Sequence, residues 1–266
     1  NKLSKPLLIF EPMTIDYPMA SIRFHKFAIE GIQDIQKQTE KSKAFYFPYV
    51  EEKKGVADKL LIELAKDAAV VITDDYPTYF VPQMTAEAKG SIQTTYELVD
   101  SNGLLPIRIA EKEYVRAHDF RRFMHKNIED FLVEVPEKDP LEYLNLKFDE
   151  KLLEPIFKKY DLIDFNQINT QDFLNNLNVD KSVEVSDVVG GYNAAKSRLE
   201  LFAKKGFNDY SKLRSHPSED ASSQLSPYFH FGHISTYEVF EKIISNESWS
   251  CLLYTSDAAD ELSRVG

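Results

Sequence analysis

Residues 222–235 read SSQLSPYFHFGHIS, and they decide the fold because they set hydroxyls and a helix-start proline ahead of an aromatic-rich helix. Ser226 has the side chain of an N-cap, and Pro227 suits the first helical position, where its missing N–H costs nothing. The pattern predicts a helix over 227–245. Free amides at such a start carry partial positive charge, so with the Ser222, Ser223 and Ser226 hydroxyls they could receive a phosphate or pyrophosphate. An ordinary capped helix with its serines in water meets the same local pattern.

Upstream, between Ala194 and Arg214, the basic residues Lys196, Arg198, Lys204, Lys205, Lys212 and Arg214 outnumber Glu200 and Asp209. Lys204, Lys205, Lys212 and Arg214 are candidates for contact with a DNA backbone, or equally form the solvated face of an amphipathic helix. The whole chain, at 266 residues and net charge −11, is not that of a dedicated nucleic-acid binder.

The first half alternates strand and helix signals. Residues 6–10 (PLLIF), 44–50 (AFYFPYV) and 70–73 (VVIT) are apolar runs suited to buried parallel strands, with 96–99 and 107–109 as lesser candidates. Helical spacing over 19–41 places Phe24, Phe27, Ala28 and Ile35 on one stripe, and a second helix is expected over 56–66. This order predicts a doubly wound parallel α/β layer, with Asp74, Asp75 and Asp100 at its carboxyl rim. The second half reads as all-α, with helices over 121–131, 152–159, 193–205 and 227–245. Pro136, Pro140 and mixed charges mark 134–145 as a linker between domains at 1–133 and 146–250.

Hydrophobic residues make up 43% of the chain and aromatic residues 12%, enough for a sizeable core. No apolar stretch is long enough to span a bilayer, and the start lacks the layout of a secretion signal, so an intracellular location is expected. The single Cys251 supports neither a disulfide framework nor a cysteine metal site. His25, His118, His125 and His216 stand singly, as surface or packing residues. His230 and His233 share a predicted helix face but have no third ligand at a matching spacing, so no metal is expected.

Tyr210, Arg214 and Pro217 lead into Ser222, Ser223, Gln224, Leu225, Ser226 and Pro227, followed by Phe231, Gly232, Ile234 and Ser235. In this order, and in Gly190, Gly191, Ala194, Ala195, Leu199 and Phe202 ahead of it, the chain resembles the class II cyclobutane pyrimidine dimer photolyases of the photolyase/cryptochrome superfamily. Residues 71–77 (VITDDYP) are similar to that family's VVTDFSP segment, and 99–106 (VDSNGLLP) more loosely to its VDxHNxxP segment. The resemblance implies an antenna-like α/β domain followed by the start of a helical FAD-binding domain. It places Tyr210, Ser222, Ser223, Gln224, Leu225 and Ser226 around the ribityl and diphosphate parts of FAD. His233 stands where the class usually has Gln, and Thr78-Tyr79 where it has Leu-Arg, which leaves any second antenna chromophore unassigned.

The activity implied is light-driven splitting of pyrimidine dimers in UV-damaged DNA, by electron transfer from reduced FAD to a flipped-out dimer. The resemblance also implies a monomer, nuclear in a eukaryote and cytoplasmic in a prokaryote. Relative to the family, the chain lacks the opening strand and most of the FAD domain, and residues 251–266 resemble a translated sequencing-adapter end. Catalytic residues would then follow Ser250, Trp249 is a packing residue, and the fragment is expected to be inactive and to lack flavin absorbance. Rival readings are a cryptochrome-like flavin photoreceptor, a non-catalytic nucleotide-binding module and an electron-transfer flavoprotein subunit. The module lacks a glycine-rich phosphate loop, and the last does not account for the constellation from Tyr210 to Ser235.

Overall fold

The computed structural model describes residues 3–132 and 136–245. Its first half alternates as β1 (Leu8–Thr14), α1 (Ile22–Thr39), β2 (Phe45–Glu51), α2 (Val56–Ala65), β3 (Val71–Asp74), α3 (Val81–Ser91) and β4 (Tyr96–Val99). The expected strands thus form within a few residues of their apolar runs. Residues 107–109 do not: Ile107–Ile109 is a single 3-10 turn, set by Pro106 before it and by Asp100, whose carboxylate accepts from the Ile107 amide at 2.7 Å.

The strands form two parallel pairs, β1 with β2 and β3 with β4. In the second pair, Val71 N–H donates to Thr95 O and Asp75 N–H to Val99 O, a constant offset that requires parallel strands. β1 and β2 match residue for residue from Leu8 opposite Phe45 to Thr14 opposite Glu51. Phe45 N–H donates to Leu7 O, so by alternation the nitrogen of Pro48 faces away from β1. There its missing N–H removes no bond of the pair.

The chain divides into two compact units. The first combines Asn1–Val71, Met84–Glu97 and Lys138–Ile234. In it β2 is covered on both faces. Tyr46 and Val50 pack with Ile22, Ile29 and Ile32 of α1 and with Phe165 and Leu174, while Phe47 packs on the other side with Leu60, Leu153 and Ile156. This two-sided burial explains why β2 reads as a continuous apolar run.

Helix α1 begins at Ser21, whose hydroxyl accepts from the Phe24 amide. Its buried stripe differs from the expected one: Phe27 is buried, but Phe24 is 50% exposed and Ile22, His25, Ile29 and Ile32 take the inner positions. His25 is buried with Nδ1 2.8 Å from Ser21 O and Nε2 3.1 Å from Thr14 O, so whichever ring nitrogen carries the hydrogen has a carbonyl to receive it.

The second unit combines Ile72–Gln83, Leu98–Glu137 and Ser235–Gly266, and its helices are α4 (Ala117–Phe131) and the later α10 (Thr236–Ile244). The Tyr237 hydroxyl of α10 lies 3.2 Å from Leu104 O and 3.4 Å from Phe131 O.

Between α4 and α10 the chain is helical, as expected, but in shorter pieces. α5 (Glu154–Phe157), α6 (Thr170–Asn176), α7 (Tyr192–Leu201), α8 (Phe207–Leu213) and α9 (Ser226–His230) follow one another. Residues Phe202–Gly206 form a π turn that joins α7 directly to α8. The helix expected over 227–245 is two helices, because Gly232 adopts φ +68° after α9 and Ser235 caps α10 by accepting from Tyr237 N–H. No helix among the described residues is long and apolar enough to cross a membrane.

Candidate functional site

The site is built on the junction of α1 with α7. Gly190 packs so closely on α1 that a Cβ there would lie 2.2 Å from Phe27 O, and Gly191 adopts φ +94°. A side chain is therefore excluded at both positions, by contact at the first and by backbone conformation at the second. The amides at the start of α7 are taken by side chains: Gly190 N–H donates to Glu30 Oε2 (2.7 Å), Gly191 N–H to His233 Nδ1 (2.9 Å) and Asn193 N–H to Asp34 Oδ2 (2.9 Å). Two carboxylates and an imidazole thus complete this helix start.

His233 is 9% exposed and stacks on Phe27 at 4.8 Å between ring centres. Burial pushes its pKa down to about 4, against the pull of the Asp34 charge. The ring is therefore neutral near pH 7, and because Nδ1 accepts from Gly191, its hydrogen sits on Nε2. Nε2 faces Gly31, where an added Cβ would lie 2.2 Å away. His230 ends α9 and His233 lies beyond the Gly232 break, so the two do not share a helix face as expected.

Arg198, one turn before the end of α7, reaches back to the serine run. Its Nε donates to Ser223 O at 2.8 Å and its Nη2 to Ser222 O at 3.3 Å. Gln224 has φ +55° and its side-chain amide donates to Asp220 Oδ1. Leu225 is 1% exposed and anchors the run from beneath, while the Ser223 hydroxyl accepts from the Leu225 amide at 3.4 Å. Ser222 and Ser226 are exposed.

The structure corrects the role expected of Ser226. α9 starts one residue early, with Leu225 in helical conformation at the N-cap and no side-chain cap, so Ser226 and Pro227 are its first two residues. The physical reason is the burial of Leu225, which draws that residue into the helical turn. With five residues α9 carries too few aligned peptides for the helix-dipole argument, which lapses. Any anion held here would be held by hydroxyls and loop amides.

Tyr210 lies on α8, its ring edge-on to Phe202 at 5.4 Å and under the Arg214 guanidinium at 5.5 Å. Among the described residues no hydrogen bond joins it to 222–226. The serine run is thus assembled as one loop, with Tyr210 on the helix that also carries Arg198. Lys204 and Lys205 are exposed on the π turn, and Lys212 and Arg214 are exposed around the end of α8. The three aspartates expected at a sheet rim have structural partners: Asp74 accepts from Ser101, Asp100 from the Ile107 amide, and Asp75 pairs with Arg108, which holds its carboxyl below the usual range. A cavity of about 450 Å³ beside the start of α4 and another of about 170 Å³ between α2 and α3 are not lined by the candidate site residues.

Sequence reasoning missed Arg198, which appeared only in a count of basic residues. It noted His233 as a departure but gave no sign of its burial. The expected boundary at Ser250, Trp249 and the adapter-like residues 251–266 lie outside the described residues.

No family model matches the chain. It is 28% identical over 236 residues to a deoxyribodipyrimidine photolyase of Methanothermobacter thermautotrophicus, a match that covers 88% of this chain and 48% of the relative. The chain is thus similar to members of the photolyase/cryptochrome superfamily. Its structure superposes on a cryptochrome of Synechocystis with a TM-score of 0.63 at 14% identity, over 91% of this chain and 50% of that one. An archaeal photolyase of Sulfolobus tokodaii, solved with two FAD molecules, superposes at 0.55 and 17% identity, over 95% and 51%. The photolyase/cryptochrome fold accounts for an α/β layer followed by helices. The chain spans about half the length of the curated relatives it matches.

Proposed function

We propose that the complete protein is a deoxyribodipyrimidine photolyase of the class II type, a monomer that binds FAD and repairs pyrimidine dimers in UV-damaged DNA. The observation that carries this is the loop of 222–226, pinned by Arg198 and joined through α7 and α8 to Tyr210, in a chain whose curated relatives bear the photolyase name. Its donor set suits a diphosphate: the exposed Ser222 and Ser226 hydroxyls make no hydrogen bond among the described residues.

In this proposal the Ser222 and Ser226 hydroxyls donate to the diphosphate, while Ser223, Gln224 and Leu225 shape the loop around it. The Tyr210 ring borders the ribityl side, held in place by Phe202 and Arg214. Bound FAD in its reduced form would supply the light-excited electron that splits the dimer. Lys204, Lys205, Lys212 and Arg214 would meet DNA phosphates, an interaction that weakens steeply with salt. The α/β layer of 1–133, the linker of 134–145 and the helical part of 146–250 are the proposed domains. A second antenna chromophore is left unassigned. The protein would work inside the cell, in the nucleus of a eukaryote or the cytoplasm of a prokaryote.

The cryptochrome match favours a second function, that of a flavin photoreceptor. One experiment separates the two. The complete protein is purified, its bound flavin quantified by absorbance, and its light-dependent reversal of thymine dimers in an oligonucleotide measured. Flavin with repair is expected, and a Ser222→Ala, Ser226→Ala double variant should retain less FAD. Stoichiometric flavin without repair would transfer the protein to the photoreceptor function, and absence of flavin would overturn the site.

A further inference from the structure

We infer that Arg198 is the positioning residue of the proposed diphosphate site, acting from behind the loop without touching the ligand. This rests on the assignment of 222–226 as that site. The inference starts from peptide geometry. In a planar trans peptide the carbonyl of one residue and the N–H of the next point in opposite directions, and the described chain contains no cis peptide. Arg198 holds two successive carbonyls, those of Ser222 and Ser223, with one guanidinium. The N–H groups of Ser223 and Gln224 are therefore turned away from it, side by side. Among the described residues neither amide has an acceptor, so both are available to an anion.

A guanidinium suits this task because its donors are fixed in one plane and it stays charged at all working pH values. Its charge behind the two peptides further polarises the amides that face forward. The long reach matters too: 24 and 25 residues separate Arg198 from the two carbonyls. The Gly190–Gly191 approach to α1 fixes the start of α7, and Arg198 transmits that fixed position to the loop.

Arg198→Met and Arg198→Lys test this in the protein expressed from its complete coding sequence, with the Ser222→Ala, Ser226→Ala variant alongside. Affinities for FAD and for riboflavin, which lacks the diphosphate, are measured by fluorescence titration. Arg198→Met should weaken FAD binding about tenfold, the factor carried by about 1.4 kcal/mol, and leave riboflavin binding unchanged. Arg198→Lys, which keeps the charge but cannot fork, should fall between. If Arg198→Met preserves the FAD-to-riboflavin ratio while the serine variant lowers it, the site stands and the role of Arg198 is overturned. If neither variant changes the ratio, the site itself is overturned and the role of Arg198 with it.

Discussion

Replacing His233 by Gln keeps an acceptor for the Gly191 amide but removes a buried imidazole whose protonation is suppressed by folding. Burial lowers the imidazole from its ordinary 6.5 to about 4, and each unit of such a shift is worth about 1.4 kcal/mol. The full shift would set a ceiling of about 3 kcal/mol, and partial solvent screening reduces it to about 2 kcal/mol. The sign follows from proton uptake. Because the folded value is the lower one, the unfolded chain protonates first as pH falls. Stability is therefore complete above about pH 6.5, declines down to about pH 4 and is flat below that.

The assay is urea unfolding of wild type and His233→Gln at about pH 7.5, 6.5, 5.5 and 4.5, followed by far-UV circular dichroism. Wild type should lose about 2 kcal/mol more than the variant across that range, since the other titrating groups are common to both and cancel. Parallel loss of stability in the two proteins would refute the assignment of a buried neutral imidazole. So would an NMR titration that placed His233 near 6.5.

Two substitutions probe the scaffold. Gly190→Ala puts a Cβ 2.2 Å from Phe27 O, backbone against backbone, and should cost about 2 to 3 kcal/mol; an unchanged melting temperature would disprove the close approach. Phe165→Ala empties a fully buried position between α1 and α6 and should cost about 3 to 5 kcal/mol, measured by urea unfolding, whereas a loss under about 1 kcal/mol would mean that the site is not part of the core.

The strands were legible because their signal is local. β2 is covered on both faces, and a strand so covered must be apolar at every position, as FYFPYV is. Helix interruptions were less legible. Gly232 signals a turn and a glycine within a helix with equal composition, and only its φ of +68° shows which. Ser226 has a capping side chain, yet the burial of Leu225 one residue earlier outweighed that propensity and began the helix first. The serine run and Tyr210 were singled out through the family resemblance of their sequence order. Arg198 was not, because its function depends on a contact across 25 residues, for which periodicity and local propensity leave no trace. His233 was hidden for a related reason: a histidine near aromatic residues reads alike whether it is exposed or sealed against Phe27 and Gly31.

The π turn at Phe202–Gly206 lies between Arg198 and Tyr210 on what is otherwise one continuous helix. An α-helix advances about 100° per residue, whereas a π turn closes its hydrogen bond one residue later than an α turn. Deleting a single residue within the π turn would let an α turn close in its place, so Tyr210, Lys212 and Arg214 would keep nearly the same angle to Arg198. The same deletion in the regular turns between Arg198 and the π turn would swing them about 100° around the axis while leaving Arg198 on Ser222 and Ser223. The π turn thus works as slack in an otherwise rigid rod, the one segment between the two halves of the helix where a change of length by one leaves their angular relation intact.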